Sequence, residues 1–167
     1  VADKDIRDHR MHTEQLIIRR ELILQLLDQP EYILAVGTTS MRTLESLFWY
    51  GQLLQNNPEA DFSIGQWTPY SEEKPVSAAS ALGNVLSYMD RKGLEELSGD
   101  TSLIIVPGYQ FHLVDILLTN FHMPKSTLLL LVAAFAGDVW KDSYTHALEH
   151  DFRFLSYGDS CLFFRKP

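Results

Sequence analysis

The chain has 167 residues, 46% of them hydrophobic, which is enough for one globular domain with a substantial core. Its 14 basic and 22 acidic residues give a net charge of −8, which excludes a surface coated throughout for nucleic-acid binding but allows a local basic patch. The single cysteine, Cys161, excludes an intrachain disulfide, and the apolar run 128–136 is too short to cross a membrane. We therefore expect a cytoplasmic protein, and the charged start at Val1 suggests a piece of a longer chain.

The first third of the chain alternates between short extended runs and amphipathic helices. Residues 12–18 are extended in character, and the apolar spacing over 20–29 predicts a helix. A short buried strand is predicted over 32–36. A helix over 41–50 should follow and stop at Gly51.

The remainder continues the alternation after a loop rich in proline and polar residues. The first predicted features are a loop over 55–76 with a short strand near 62–67, a helix over 77–91 and a linker-like turn over 93–100. A buried strand over 103–106 and an extended segment over 111–120 follow. The last features are a helix from 126 to Gly137, a helix over 138–150 and a strand region over 154–164. This order predicts a single α/β domain over residues 1–167, with a mixed, partly parallel sheet flanked by helices.

The first polar constellation joins a predicted strand to a predicted helix. Gly37 allows close backbone approach, while Thr38, Thr39 and Ser40 add hydroxyls to the free N–H groups of the helix start. Arg42 adds a fixed positive charge with bidentate reach. The segment lacks the Gly-Lys-Ser/Thr and GxGxxG phosphate motifs. A nucleotide or carboxylate site and a well-capped helix both remain open.

The stretch 117–127 places polar side chains directly before the apolar run. These are Asn120, His122, Lys125, Ser126 and Thr127. Pro124 suits a helix start, where the free N–H groups of the first turn face an anion or polar ligand with Lys125 beside them. The alternative is an ordinary N-cap followed by a core helix.

Two further sites carry titratable or aromatic groups. On a strand, His12 and Glu14 share a face, so the carboxylate can fix the tautomer of the imidazole for proton transfer; a solvated, charged terminus is the alternative. Tyr157 and Asp159 flank a glycine bend that offers a ring and an acceptor to a nucleoside, or is simply a turn.

Histidine spacing gives weak metal signals. His9 and His12 are three residues apart, and His146 and His150 are four apart on a predicted helix. No third ligand is obvious, and Ala147 stands where a metalloprotease helix has glutamate. We therefore expect no metal site.

Several sequence blocks occur in a fixed order along nearly the whole chain. They are HRMHTE (9–14), AVGTTSMRTLES (35–46), PGY (107–109), LLTNFH (117–122), PKSTL (124–128), AFAG (134–137) and FLSYGD (154–159). In this order they resemble the S-adenosylmethionine:tRNA ribosyltransferase-isomerase family of queuosine biosynthesis. The chain departs from the family pattern at Asp8, where glutamate is usual, and residues 69–100 look like an insertion.

The resemblance implies an enzyme that transfers and isomerises the ribosyl part of S-adenosylmethionine onto 7-aminomethyl-7-deazaguanine at the wobble position of tRNA. Epoxyqueuosine forms, while adenine and methionine leave. S-adenosylmethionine is a consumed substrate, so no cofactor is expected. Family members pair an α/β domain with a β-barrel domain, and the chain resembles only the C-terminal half. The barrel is then absent, and the missing N-terminal part is an expected partner.

Family position and residue type together imply roles for individual side chains. The candidates for the catalytic base are His12, paired with Glu14, or His122. The implied substrate-binding residues are Gly37, Thr38, Thr39, Ser40, Arg42, Tyr109, Asn120, Lys125, Ser126, Tyr157 and Asp159. A non-catalytic nucleotide- or tRNA-binding module is the alternative function.

Overall fold

The computed structural model describes residues 10–71 and 74–165, so the comments above on Asp8 and His9 lie outside the described residues. The strands are β1 (Glu14–Arg19), β2 (Leu34–Val36), β3 (Ser63–Ile64), β4 (Glu96–Thr101), β5 (Ile116–Asn120) and β6 (Ser160–Phe164). The helices are α1 (Arg20–Leu27), α2 (Thr38–Asn56), α3 (Ala78–Lys92), α4 (Thr127–Ala136) and α5 (Val139–Glu149), with a 3-10 turn at Thr68–Tyr70.

The six strands form two small mixed sheets rather than one. The first sheet has the order β1-β4-β3, with β1 antiparallel and β3 parallel to β4. The second has the order β2-β5-β6, with β2 parallel and β6 antiparallel to β5. The predicted α/β class with mixed, partly parallel strands flanked by helices is therefore confirmed.

The prediction of a linker-like turn over 93–100 is wrong, because β4 occupies most of it as the central strand of the first sheet. Its sequence, ELSGDT, has no apolar alternation, so the strand is stabilised by pairing on both sides and not by propensity. Gly99 permits the close packing of Phe62, since a Cβ there would collide with that ring. In the next segment, predicted as a buried strand over 103–106, residues 103–105 are buried but form no strand.

The long helix α2 does not stop at Gly51 as predicted but continues to Asn56. Gly51 faces α3, where a Cβ would collide with the backbone carbonyl of Ala81. The glycine therefore allows two helices to approach closely instead of ending one of them. This contact places α2 and α3 together at the centre of the core.

Gly51→Ala should destabilise the fold by about 1–3 kcal/mol, because the added methyl must separate α2 from α3. Gly83→Ala is the matched control: it lies within α3 with nothing near its missing Cβ, and should stabilise the chain by roughly 0.5–1 kcal/mol. Urea unfolding followed by circular dichroism measures both changes. Equal effects of the two substitutions would contradict the close approach.

The predicted buried strand near residues 32–36 is buried on one side only. Ala35 is 1% exposed, whereas Leu34 and Val36 are 49% and 60% exposed. The strand has the expected apolar composition, but the layer that would cover its second face is not formed by the described residues.

Residues 69–100 contribute to the core of the domain. The helix α3 packs against α1 and α2, and β4 joins β1 to β3. Whether the segment is an insertion relative to the family stays a prediction. Among the described residues, no helix is both long and apolar enough to cross a membrane.

Candidate functional site at the ends of two parallel strands

The carboxyl ends of β2 and β5 lie side by side and bring two of the predicted polar segments together. Val36 pairs with Leu118, and the N–H of Gly37 donates to the Leu118 carbonyl at 2.8 Å. Gly37 has a φ of +89°, a backbone conformation that residues with a Cβ rarely adopt. This conformation turns the chain directly into α2. The predicted helix start at residues 37–40 therefore lies beside the end of β5, with Thr39 and Ser40 exposed.

Asn120 ties the end of β5 to the predicted glycine bend. Its amide nitrogen donates to the carbonyls of Gly158 and Asp159 at 3.3 and 3.2 Å. The Asp159 carboxylate accepts from the backbone N–H of Arg153 at 2.7 Å, so it stabilises the bend itself. Tyr157 is 97% exposed, which leaves both faces of its ring open to a stacking partner.

His122 stands at the same end, held by two contacts. Its Nε2 lies 2.9 Å from the Thr119 hydroxyl, and its backbone N–H donates to the Tyr144 hydroxyl at 2.9 Å. Burial lowers the pKa of His122, so the imidazole is neutral near neutral pH. In the tautomer with the proton on Nε2, Nδ1 is an acceptor and is suited to remove a proton.

Lys125 and Ser126 belong to the turn before α4. Lys125 is exposed and has a φ of +62°. The Ser126 hydroxyl accepts from the N–H of Leu129 at 3.1 Å and donates to the Met123 carbonyl at 2.8 Å, which makes it the N-cap of α4. Pro124 lies two residues before this cap, so it is near the helix start as predicted but outside the first turn.

Arg42 is one turn further along α2 and is directed into the protein. Its Nη1 lies 2.8 Å from Glu14 Oε1, and its Nε donates to the Leu103 carbonyl at 3.0 Å. Burial lowers the pKa of Arg42, and the carboxylate of Glu14 opposes that shift. Within the described part of the chain, Arg42 Nη2 and Glu14 Oε2 are buried without a hydrogen-bond partner.

The predicted pair of His12 and Glu14 is not formed as a contact. His12 is exposed just before β1, and no hydrogen bond joins it to Glu14 in residues 10–71 or 74–165. The carboxylate is instead held by Arg42. The local sequence could not reveal this, because the two partners are 28 positions apart.

A buried carboxylate, Glu45, was missed by the sequence analysis. It is 0% exposed and accepts hydrogen bonds from the backbone N–H groups of residues 112, 113 and 114 and from the Tyr109 hydroxyl at 2.8 Å. Burial raises the pKa of Glu45, while these four donors oppose the shift. Its helical spacing from Met41 and Phe48, four and three positions away on the inward face of α2, was the available signal.

Tyr109, predicted to bind substrate, uses its hydroxyl inside this network. The hydroxyl accepts from Trp49 Nε1 at 2.8 Å and donates to Glu45. Tyr109 is 8% exposed. Its observed contacts therefore fix the segment that leads into β5.

His112 gives the fold a dependence on pH. Its ring stacks on Phe48 with centroids 3.8 Å apart, and burial lowers its pKa from 6.5 to about 4. The unfolded chain then binds the proton more tightly than the folded one, so stability is complete above pH 6.5 and falls as the pH drops towards 4. We expect a loss of roughly 1–2 kcal/mol, allowing for screening of a half-buried group.

Urea unfolding at a series of pH values tests this expectation. His112→Gln should reduce the loss of stability between pH 6.5 and 4, whereas His150→Gln, at an exposed position on the chain surface, should leave it unchanged. An identical pH profile for His112→Gln and the unmodified chain would contradict the assignment.

The histidines of α5 have contacts of their own. The rings of His146 and His150 stack at 4.0 Å, and His150 Nδ1 donates to the His146 carbonyl. Among the residues described, no group of three His, Cys, Asp or Glu side chains is arranged to hold a metal ion.

Comparison with known proteins identifies relatives along the whole chain. The sequence family described as "Queuosine biosynthesis protein" matches residues 1–163. A Rhodopseudomonas palustris protein named S-adenosylmethionine:tRNA ribosyltransferase-isomerase is 37% identical over 171 residues, which cover 100% of this chain and 37% of that protein. A protein of the same name from Aromatoleum aromaticum is 37% identical over 164 residues, covering 96% of this chain and 36% of the relative.

A solved structure supports the same relationship. The S-adenosylmethionine tRNA ribosyltransferase from Thermotoga maritima matches with a TM-score of 0.58 and 35% identity, over 89% of this chain and 40% of that chain. The family resemblance predicted from the ordered sequence blocks is confirmed by these matches. The chain spans about 37% of the length of the Rhodopseudomonas palustris relative.

Proposed function

Since this chain belongs to the queuosine biosynthesis protein family, we propose that it forms the α/β domain of an S-adenosylmethionine:tRNA ribosyltransferase-isomerase. The complete enzyme would transfer the ribosyl part of S-adenosylmethionine to 7-aminomethyl-7-deazaguanine in tRNA and isomerise it to epoxyqueuosine. Adenine and methionine would leave. S-adenosylmethionine is consumed, so we propose no cofactor.

The observation that carries this proposal is the meeting of two predicted segments at the ends of β2 and β5. The hydrogen bond from Gly37 to Leu118 joins the start of α2 to the end of β5, the strand that ends at Asn120 two residues before His122. A helix N-terminus, a neutral imidazole and an exposed tyrosine ring at this end of the sheet would suit a substrate with an anionic end, an acidic C–H bond and a planar base.

We assign His122 as the general base. The positive sulfonium makes the neighbouring ribosyl C–H bond acidic, and a neutral imidazole is needed to accept its proton. Burial keeps His122 neutral, and the contact of Nε2 with Thr119 orients the ring. His12 is a weaker candidate, because Glu14, its predicted partner, is engaged by Arg42.

The remaining predicted residues would bind the two ends of the substrate. The N–H groups of residues 38–40, in the first turn of α2, and the exposed ammonium of Lys125 are suited to the methionine carboxylate or a tRNA phosphate. Tyr157 is suited to stack on adenine or on the deazaguanine. The buried Arg42, held by Glu14 and Leu103, would contribute by fixing the first turns of α2.

The tRNA contacts would lie mainly on other parts of the complete enzyme. The net charge of this chain is −8, which disfavours a polyanion over most of its surface. The family's proteins contain much more chain than is present here. We therefore propose that the catalytic site is shared with the rest of the polypeptide.

Calorimetric titration with S-adenosylmethionine tests this proposal. The comparison is between this chain alone and a hybrid enzyme, defined as the Rhodopseudomonas palustris relative with its matched segment replaced by this chain. Binding by the hybrid enzyme and not by the chain alone is expected for a shared site. No binding by the hybrid enzyme would refute the proposal, and binding without adenine release would favour the nucleotide-binding module instead.

A further inference from the structure

One face of the second sheet has a continuous apolar surface that no described part of the chain covers. Along each strand, alternate residues point to opposite faces. Ala35, Leu117 and Phe163 are 1%, 0% and 5% exposed and face the core. The opposite face, called the open face below, consists of Leu34, Val36, Ile116, Leu118, Leu162 and Phe164.

The register makes the open face continuous. Leu34 pairs with Ile116, which pairs with Phe164, and Val36 pairs with Leu118, which pairs with Leu162. The four residues on the outer strands β2 and β6 are 49%, 60%, 50% and 62% exposed, and the two on β5 are partly exposed. All six of these side chains are apolar, and the polar Asn120 and Ser160 follow only at the end of the sheet.

Such a face differs from an ordinary solvent-facing sheet. A sheet that faces water alternates apolar and polar residues, whereas strands that are apolar on both faces are typical of sheets covered on both sides. Here α2 and α4 contact the strands of this sheet, and the buried side chains face that layer. A contiguous exposed apolar patch of this kind marks an interaction surface.

The length of the relatives indicates what this layer is. The matched segment is 37% of the Rhodopseudomonas palustris protein and 40% of the Thermotoga maritima chain, so most of each relative lies outside it. We infer that the open face docks an apolar layer supplied by that other part of the family polypeptide. The inference depends on family membership and on the open face, and not on the catalytic role proposed above.

The docked layer would border the candidate site. Asn120 follows Leu118 on the same face of β5 and pairs with Ser160. A layer that covers Leu118 therefore reaches the end of the sheet where Asn120 holds the bend at residues 157–159. Its docking would add a wall to the site and exclude water from it.

Cysteine labelling tests the inference directly. Val36→Cys and Leu162→Cys would each be introduced separately, with Cys161→Ser as background, into both this chain alone and the hybrid enzyme. Both cysteines should react readily with a maleimide in the chain alone and at least ~100-fold more slowly in the hybrid enzyme, because opening of a packed interface limits access. The matched control is Leu148→Cys on α5, which is 69% exposed and should react equally in both proteins.

Other outcomes overturn the inference. Equal labelling of Val36→Cys in both proteins would mean that the face stays open. Protection in the chain alone that increases with concentration, together with a dimer mass, would mean that a second copy covers it. If the hybrid enzyme fails to fold, the aligned positions of the intact Rhodopseudomonas palustris relative provide the same test: rapid labelling there would also refute the docked layer.

Discussion

Glu45→Ala is expected to destabilise the chain by about 4 kcal/mol or more, a large part of the stability of a domain of this size. The substitution leaves the backbone N–H groups of residues 112–114, two of them buried, and the buried Tyr109 hydroxyl without their acceptor. Each unsatisfied buried group costs roughly 1–3 kcal/mol. Because these groups fix the approach to β5, we expect the candidate site to lose its order as well.

Chemical unfolding followed by circular dichroism measures this effect. Glu45→Gln should destabilise the chain less than Glu45→Ala, because the amide oxygen still accepts hydrogen bonds. Some destabilisation should remain, because the amide NH₂ group would face other donors. The control is Glu149→Ala, an exposed position on α5, which should change stability by less than about 0.5 kcal/mol. Similar unfolding midpoints for Glu45→Ala and Glu149→Ala would show that the buried carboxylate does not organise the fold.

His122→Ala is expected to reduce kcat of the hybrid enzyme by about 10²–10⁴-fold, the range for removal of a general base. The fold should be retained, because the contact with Tyr144 uses the backbone N–H of residue 122 and survives the substitution. Stability should fall by only ~1 kcal/mol through loss of the hydrogen bond to Thr119. Adenine release measured by chromatography provides the rate.

The pH dependence separates a base from a merely structural residue. Since the pKa of His122 lies below 6.5, the rate should fall on the acid side of a midpoint below that value, as the imidazole becomes protonated. The residual activity of His122→Ala should lack this step, while His146→Ala, exposed on α5, should retain it. A normal rate with an unchanged pH profile in His122→Ala would contradict the assignment.

The sequence predicts features that depend on neighbouring residues. Apolar periodicity correctly indicates α1 and α3, and the polar helix start at residues 124–126 indicates α4. The glycine before residues 38–40 indicates the turn from β2 into α2. The same local signals make the strand–helix junctions at residues 37–40 and 120–126 candidate site segments, with capped helices as the alternative. The structure adds that the parallel pairing of β2 with β5 brings them together.

Features that depend on distant contacts could not be predicted. The strand β4 has no alternating pattern and exists because β1 and β3 pair with it. Glu45 and its partner Tyr109 are 64 positions apart, so neither segment identifies the other. For the same reason, the sequence suggested His12 as the neighbour of Glu14, whereas the folded chain supplies Arg42.

The most direct test of the central claim is product formation by the hybrid enzyme. Incubated with S-adenosylmethionine and tRNA carrying 7-aminomethyl-7-deazaguanine, it should release adenine and methionine and leave epoxyqueuosine in the tRNA, as detected by mass spectrometry of the digested nucleosides. This chain alone should form none of these products, since we propose that the site is shared. A folded hybrid enzyme that forms no epoxyqueuosine, under conditions in which the unmodified Rhodopseudomonas palustris relative does, would contradict the account.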